Sequence, residues 1–265
     1  DHRPWLTGST FMLEGLLVTD VYLFMMIFAR LGSALMLLPG FGEVSVPVRV
    51  RLIVALTVTF LVFPIVSSTI PATPPILSEL FLLLGGEILI GIAIGAIARL
   101  LLSMLQVGGT IIAFNSGLAS AQLFDPTAGQ QGAITGAFLA TIGVTLLFVT
   151  NMHHVMLMGL VDSYVLFVPG QGFPVGDFSD MAARVVADSF RLGLQIALPV
   201  LVVGMLIYVS MGLMARLMPQ IQVFFIALPL QILVGFSILS ITLGVSMIVF
   251  LDHFETVMGG FLRSS

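Results

Sequence analysis

Long apolar stretches, separated by short segments rich in proline, glycine and charge, follow one another along the whole sequence. A helix that crosses a bilayer needs about 20 apolar residues. The uncharged gaps between residues 51 and 79, 99 and 125, and 191 and 216 are each long enough for one crossing. The longer gaps, 125–162 and 216–252, must hold more than a single upright helix. We therefore predict an all-α, multi-pass fold with helices over about 13–38, 48–70, from residue 78 onward, 192–216 and 220–255.

Proline and glycine mark the breaks between these helices, because proline removes a backbone donor and biases its neighbour away from helix. Connectors are predicted at Pro39–Pro47, Pro71–Pro75, Asp125–Gly129 and near Pro219. The longest polar break, Pro169–Pro174, divides the chain into two predicted modules, 1–174 and 175–265. Each module is expected to consist of successive helical hairpins.

The segment 177–191 differs from the apolar stretches. Its charges, Asp177, Asp180, Arg184, Asp188 and Arg191, recur every three or four residues, which places them on one stripe of a helix. The stripe fits either a helix that docks a partner or an amphipathic helix at the membrane surface with local ion pairs. We favour the second interpretation.

Composition supports a membrane protein. Of the 265 residues, 58% are hydrophobic and 8% are charged, whereas about 25% of the residues of a soluble domain are charged. All nine basic residues are arginines, and the net charge is -4. Because nucleic-acid binding depends on many phosphate-neutralising cations, this class of function is excluded. The absence of cysteine excludes disulfides and thiolate chemistry.

Three charged residues, Arg30, Glu87 and Arg99, lie inside apolar helical stretches. A charge at mid-bilayer costs about 2.5 to 3.5 kcal/mol, so each should face protein or water and needs a partner from elsewhere. Gly91 and Gly95 follow Glu87 at intervals of four, which forms a stripe that lets another helix approach closely. The approaching helix could belong to this chain or to another subunit, and the residues leave both possibilities open.

No catalytic constellation is present, and we predict no enzyme activity, cofactor or metal site. The sequence has no His-Glu-x-x-His, no Gly-x-Ser-x-Gly and, without lysine, no phosphate-binding loop. His153 and His154 point about 100° apart on a helix and cannot ligate a metal as an i, i+4 pair does. For His153 we favour a hydrogen-bonded position at a helix end.

The stretch 108–132 is rich in glycine and small polar residues, although apolar helices flank it. Irregular backbone at membrane depth is tolerated only where protein buries it or where it lines an aqueous cavity. The stretch is therefore either a pore-lining or gating segment or an ordinary polar loop outside the bilayer.

A series of short motifs, in a fixed order, resembles the FliR/SctT family of type III export-gate proteins over nearly the whole length. The motifs are Ser45–Arg51, Glu87–Gly91, Phe124–Pro126, Asn151 with His153, Asp162, Pro169–Gly170, Arg216 with Pro219 and Gln220, and Pro229–Leu230. The final hairpin, Ala197–Val249, is also similar to the two-helix subunit FliQ, which would make the first module FliP-like. The flagellar branch of the family fits better than the injectisome branch.

The resemblance implies a non-enzymatic core subunit of the flagellar export gate in the bacterial inner membrane. FliP-like, FliQ-like and FlhB-like subunits, membrane lipid and exported unfolded polypeptides are the implied partners, and other chains would supply the partners of Arg30, Glu87 and Arg99. The family's channel plug maps onto Asn115, Ser116, Gly117, Leu118, Ala119, Ser120, Ala121, Gln122, Phe124, Asp125 and Pro126. Subunit packing or buried charge is implied for Arg30, Arg49, Arg51, Glu87, Gly91, Gly95, Arg99, Arg216, Pro219 and Gln220.

Two alternatives to the flagellar gate remain from the sequence. The first is an injectisome export-gate subunit of the same family. The second is a multi-pass small-molecule transporter with Glu87 or Arg99 in its substrate path.

Overall fold

The computed structural model describes residues 5–72, 74, 76–117, 131–218 and 223–262 of the 265-residue chain. Within these ranges the chain forms seven α-helices and one short 3-10 turn, Ser67–Thr69. The helices are α1 (Trp5–Leu35), α2 (Val48–Val66), α3 (Leu77–Asn115), α4 (Gln131–Val149), α5 (Met152–Leu166), α6 (Val175–Leu217) and α7 (Val223–Gly259). The predicted all-α class is confirmed.

Helix α3 is longer than the sequence predicts. We expected a separate crossing between Arg99 and Asp125, but one continuous helix of 39 residues passes through Arg99 and ends at Asn115. At 1.5 Å per residue α3 is about 58 Å long, and the hydrocarbon core of a bilayer is about 30 Å thick. Arg99 lies inside this helix, so the uncharged gap 99–125 does not correspond to a helix of its own.

Helix α6 joins two segments that the sequence separates. The charged stripe of 177–191 and the apolar stretch 192–216 form a single helix of 43 residues, because no proline interrupts them at their junction. All five charged side chains of the stripe are exposed, whereas Val185 and Ser189 on the other side are buried. Within α6, which is described throughout, none of the five forms an ion pair with another of them, so the expected local ion pairs are absent from this helix.

The helices α4 and α5 form a sharply bent pair. The bend between them measures 76°, and it coincides with Asn151, whose φ of 61° lies in the left-handed region. Asparagine adopts this region more readily than most residues do. Across the described ranges, four helices are long and apolar enough to cross a membrane, or five if the bent pair counts as one span.

The described contacts divide the chain into two compact units. Unit 1 consists of Asp1–Arg99, His153–Asp180 and Val257–Ser265, and unit 2 consists of Leu100–Met152 and Met181–Thr256. Each unit is assembled from distant parts of the sequence, so both depend on long-range packing. The predicted sequence modules, 1–174 and 175–265, are defined by likeness to FliP and FliQ and not by contacts within the chain. They therefore stay a prediction.

In unit 1, α1 and α3 approach so closely that only glycine fits between them. A Cβ atom at Gly91 would meet the backbone carbonyl of Arg30 and the hydroxyl of Ser33, and one at Gly95 would lie 2.8 Å from the carbonyl of Ala34. Ser33 Oγ also donates to the carbonyl oxygen of Ile88 on α3, at 3.2 Å. The glycine stripe that the sequence left open between this chain and another subunit therefore packs within this chain.

In unit 2, the second half of α3 contacts three helices. Helix α6 runs parallel to α3, because Ser189 bonds the carbonyl of Leu100 at 3.2 Å while Gly204, further along α6, faces Asn115. Helix α4 runs antiparallel to α3, since Gly136 faces Gly109 and the later Gly143 faces the earlier Leu105. On α7, Gly235 faces Ser116 at the end of α3. The end of α3 is therefore contacted by α6 and α7.

Substitution of Gly91 tests the close approach of α1 and α3. We expect Gly91→Ala to lower the stability of the chain by about 1 to 3 kcal/mol, because the added methyl group forces the two backbones apart. Gly86→Ala, on the same helix, is the matched control, since its Cβ would have no neighbour within 4 Å. SDS-induced unfolding of the full chain in detergent measures both. Equal stability of the two variants would show that α1 and α3 do not approach at Gly91.

Candidate functional site

Among the residues of unit 1 whose side chains the structure describes, the most strongly buried charge is Arg30, which is paired with Glu87. Arg30 is 0% exposed and Glu87 is 2% exposed. Arg30 Nε lies 2.6 Å from Glu87 Oε2, and Arg30 Nη2 lies 2.9 Å from Glu87 Oε1. Two parallel N–H···O bonds of this kind are the strongest form of an arginine–carboxylate contact. The pair joins α1 to α3 across 57 positions of sequence.

The remaining donors of Arg30 bind the end of α5. Nη1 donates to the carbonyl oxygen of Ser163 at 3.0 Å and to its hydroxyl at 3.3 Å, and Nη2 donates to the carbonyl oxygen of Phe167 at 2.9 Å. Because a guanidinium has five N–H donors, every donor of Arg30 has a partner. Carbonyls at a helix C-terminus lack partners within the helix and favour a cation, so Arg30 also caps α5.

An aromatic face covers the same guanidinium. The centre of the Tyr164 ring lies 4.0 Å from the guanidinium carbon of Arg30, a distance at which the ring attracts a cation. Tyr164 Oη in turn donates to the carbonyl oxygen of Ile27 on α1, at 3.4 Å. Three helices, α1, α3 and α5, therefore meet at one charge whose desolvation is compensated on all sides.

This arrangement corrects an expectation from the sequence. We expected Arg30 and Glu87 to find their partners on other chains, but each is the other's partner. The pairing was not visible because a search for partners within one helix cannot detect a contact between α1 and α3. Ser163 and Tyr164 were also missed, since a serine and a tyrosine in an apolar helix carry no distinctive spacing.

The other implied packing residues have varied surroundings. Arg49, Arg99 and Arg216 are exposed, and Arg51 is half-buried and donates from Nε to the carbonyl oxygen of Val46 at 3.0 Å. Pro219 and Gln220 lie outside the described residues. Gly91 and Gly95 pack against α1, as described above.

A second polar cluster of interest lies in unit 2, at the end of α3. Of the residues implied for the plug, Asn115 is half-buried, and Ser116 and Gly117 are buried. The others, Leu118, Ala119, Ser120, Ala121, Gln122, Phe124, Asp125 and Pro126, lie outside the described residues.

The end of α3 has the form of a helix stop. Gly117 has a φ of 76°, the left-handed conformation that commonly follows the last residue of a helix and that glycine adopts without steric cost. Gln231 of α7 is 5% exposed and donates from Nε2 to the carbonyl oxygen of Asn115 at 3.3 Å. Sequence reasoning missed Gln231, although a lone amide within an apolar helix is a signal that could have found it.

Removing the members of the buried pair one at a time and together tests its role in stability. We expect Arg30→Met to lower the free energy of unfolding by about 3 to 5 kcal/mol, because it leaves Glu87 buried without its partner. The double variant Arg30→Met, Glu87→Met should recover part of this loss, but not all, since the carbonyls of Ser163 and Phe167 stay without a donor.

The exposed Arg99 provides the control for this measurement. Arg99→Met should change the unfolding free energy of the isolated chain by no more than about 0.5 kcal/mol. SDS-induced unfolding in detergent compares the variants with the natural chain. Additive losses in the double variant would mean that Arg30 and Glu87 do not interact.

Comparison with known proteins gives a consistent result. The family model described as "Bacterial export proteins, family 1" matches residues 21–257. The flagellar biosynthetic protein FliR of Caulobacter vibrioides is 34% identical over 239 residues, which cover 90% of this chain and 95% of that protein. The protein of the same name from Bacillus subtilis is 30% identical over 88% of this chain and 90% of its own length.

An injectisome relative also matches, over a shorter range. Yop proteins translocation protein T of Yersinia pestis is 28% identical over 154 residues, which cover 57% of this chain and 59% of that protein. The match of the family model and the two long alignments agree with the order of motifs in the sequence. The chain belongs to family 1 of the bacterial export proteins, the FliR/SctT family.

Proposed function

We propose that this chain is a core subunit of the bacterial flagellar type III protein export gate. In this role it helps to form and plug the channel through which unfolded flagellar subunits pass during assembly of the flagellum. The observation that carries the proposal is the alignment with a flagellar biosynthetic protein over 90% of the chain. As a family member with several membrane-length apolar helices, it is a multi-pass protein of the inner membrane in the flagellar apparatus.

The flagellar system is favoured over the injectisome by identity and by coverage. The Caulobacter protein matches at 34% identity over 90% of the chain, and the Yersinia protein matches at 28% over 57%. Both belong to export systems, so the two possibilities differ in the cargo and not in the kind of activity.

The geometry of Glu87 argues against the small-molecule transporter. A charged residue in a substrate path must face water or the substrate, because a charge in the membrane is costly when neither solvates it. Glu87 is 2% exposed, and both of its carboxylate oxygens bind Arg30. The pair is therefore placed to hold helices together.

The family is a structural component of the export apparatus. We extend this to propose that the chain has no catalytic activity.

Large apolar side chains on the outside of individual helices support assembly with other gate components. On α2, Phe60 is 72% exposed and Ile65 is 65% exposed. In a bilayer such surface can contact lipid or neighbouring helices, and a subunit of an export gate needs the second kind of contact. We propose FliP-like, FliQ-like and FlhB-like subunits as the neighbours, following the family resemblance.

The plug is assigned to the segment that follows α3. This segment leaves the helix at Gly117 and is composed mainly of small residues up to Gln122. Small side chains make few contacts each, so such a segment can be displaced by a passing polypeptide at low cost. We propose that it obstructs the closed channel and yields when cargo enters.

Shortening the segment tests the plug. Deletion of residues 118–121 should raise the ion conductance of the assembled gate in planar bilayers, because less of the channel is then obstructed. The deletion leaves the described end of α3 intact. The complex must be recovered with unchanged subunit composition, which serves as the control for assembly. Unchanged conductance in a correctly assembled complex would rule out this segment as the plug.

A further inference from the structure

The end of α3 is held by a specific hydrogen bond from α7. The last carbonyls of a helix have no partner within it and must find one elsewhere. The carbonyl oxygen of Asn115, the final residue of α3, accepts a hydrogen bond from Gln231 Nε2 at 3.3 Å. Gln231 is 5% exposed, so water does not readily replace this bond. Its loss would leave a polar group unpaired in an apolar setting.

Two glycines on the α6–α7 hairpin face the same helix end. A Cβ atom added at Gly235 would lie 2.6 Å from Ser116 Cβ and 3.3 Å from Ser116 Cα. A Cβ atom at Gly204 would lie 3.4 Å from Asn115 Oδ1. The hairpin therefore contacts residues 115 and 116 from two helices, and at Gly235 the fit leaves no space for even one methyl group.

The left-handed residue that redirects the chain faces the same hairpin. A Cβ atom at Gly117, whose φ is 76°, would lie 3.4 Å from Gln231 Oε1. One amide side chain thus bonds the last residue of α3 and also lies beside the residue at which the chain turns away. Gln231 is next to the two backbone positions at which the described part of this segment ends.

On α7 the close fit at Gly235 is local, because Gly244 has no neighbour within 4 Å of an added Cβ. On α6, Gly212 is likewise open, whereas Gly193 also packs closely against α3, since an added Cβ would lie 2.8 Å from the carbonyl oxygen of Met104. At the end of α3, Gly204 makes an ordinary van der Waals contact and Gly235 makes the closest fit.

We propose that Gln231, Gly204 and Gly235 form a clamp that fixes the end of α3 and thereby the point from which the plug segment departs. Gln231 is a positioning residue, since it acts on the segment through Asn115 and Gly117. The clamp rests on the proposed function for its consequence, a closed channel, but its geometry belongs to described residues alone. The FliQ-like hairpin then has a second role besides packing, which is to fix the position at which the proposed plug segment begins.

A methyl group added to the clamp tests it in the assembled complex. Because the natural chain has no cysteine, Ser116→Cys gives a single reporter thiol at a position that is 2% exposed. In the complex this thiol should react slowly with a small water-soluble maleimide. Adding Gly235→Ala should accelerate labelling about tenfold, because the overpacked helix end is displaced. Gln231→Leu should also accelerate it, since the hydrogen bond is removed.

Gly244→Ala is the matched control, because it adds the same methyl group to the same helix in open space. It should leave both labelling and conductance unchanged. If neither Gly235→Ala nor Gln231→Leu accelerates labelling of the Ser116→Cys reporter, the clamp is wrong. It is also wrong if Gly244→Ala accelerates labelling as much as Gly235→Ala does.

A compensating substitution separates the clamp from general damage to folding. Gly235→Ala should raise the resting conductance of the gate, and Ser116→Gly in the same chain should return it toward the natural value by removing the atom that the new methyl group meets. If Gly235→Ala prevents assembly, the double variant should restore the yield of complex. Failure of Ser116→Gly to restore either quantity would contradict the proposal.

The clamp and the plug fail in distinguishable ways. If deletion of residues 118–121 leaves conductance unchanged, the plug assignment is wrong, whereas the labelling of the Ser116→Cys reporter still decides whether the hairpin fixes the end of α3. If the deletion raises conductance but Gly235→Ala changes neither labelling nor conductance, the plug stands and the clamp is wrong.

Discussion

The contact of Arg30 with Glu87 and the end of α5 is the constraint on which unit 1 depends. An arginine away from water is tolerable only if its charge and all of its donors are compensated. Here a carboxylate, two backbone carbonyls, a serine hydroxyl and an aromatic ring together provide this. Since Arg30 belongs to α1 and these groups come from α3 and from the end of α5, the helices cannot separate without exposing a charge to an apolar environment. The pair therefore fixes one arrangement of the three helices.

In unit 2, closely packed glycines hold the helices together, as the buried charge of Arg30 does in unit 1. Gly109 and Gly136 bring α3 and α4 into backbone contact, and Gly193 does the same for α3 and α6. In lipid, close packing and hydrogen bonds must supply the association that the hydrophobic effect supplies in water. At the last turn of α3, Gly204 and Gly235 continue this packing from α6 and α7. The segment that we propose as the plug therefore follows directly after a packed helix end.

The sequence predicted the helical class, the connectors around Pro39–Pro47 and Pro169–Pro174 and the start of α3, because composition and helix breakers act locally. It failed where the outcome depends on distant residues. The gap between Arg99 and Asp125 was counted as a crossing of its own, yet α3 passes through Arg99 and ends at Asn115. The partner of Arg30 lies 57 positions away, and Gln231 lies 116 positions from Asn115. Periodicity within one helix contains no information about either contact.

The central claim is that this chain exists as one component of a heteromeric export gate. Its most direct test is the native mass of the complex that a tag on this chain recovers after gentle detergent extraction from its own cells. The mass should exceed that of the 28.3 kDa chain by an integral set of FliP-like and FliQ-like subunits, identified by dissociation in the same experiment. A mass equal to one copy of the chain, or to a multiple of 28.3 kDa alone, would refute membership of a heteromeric gate.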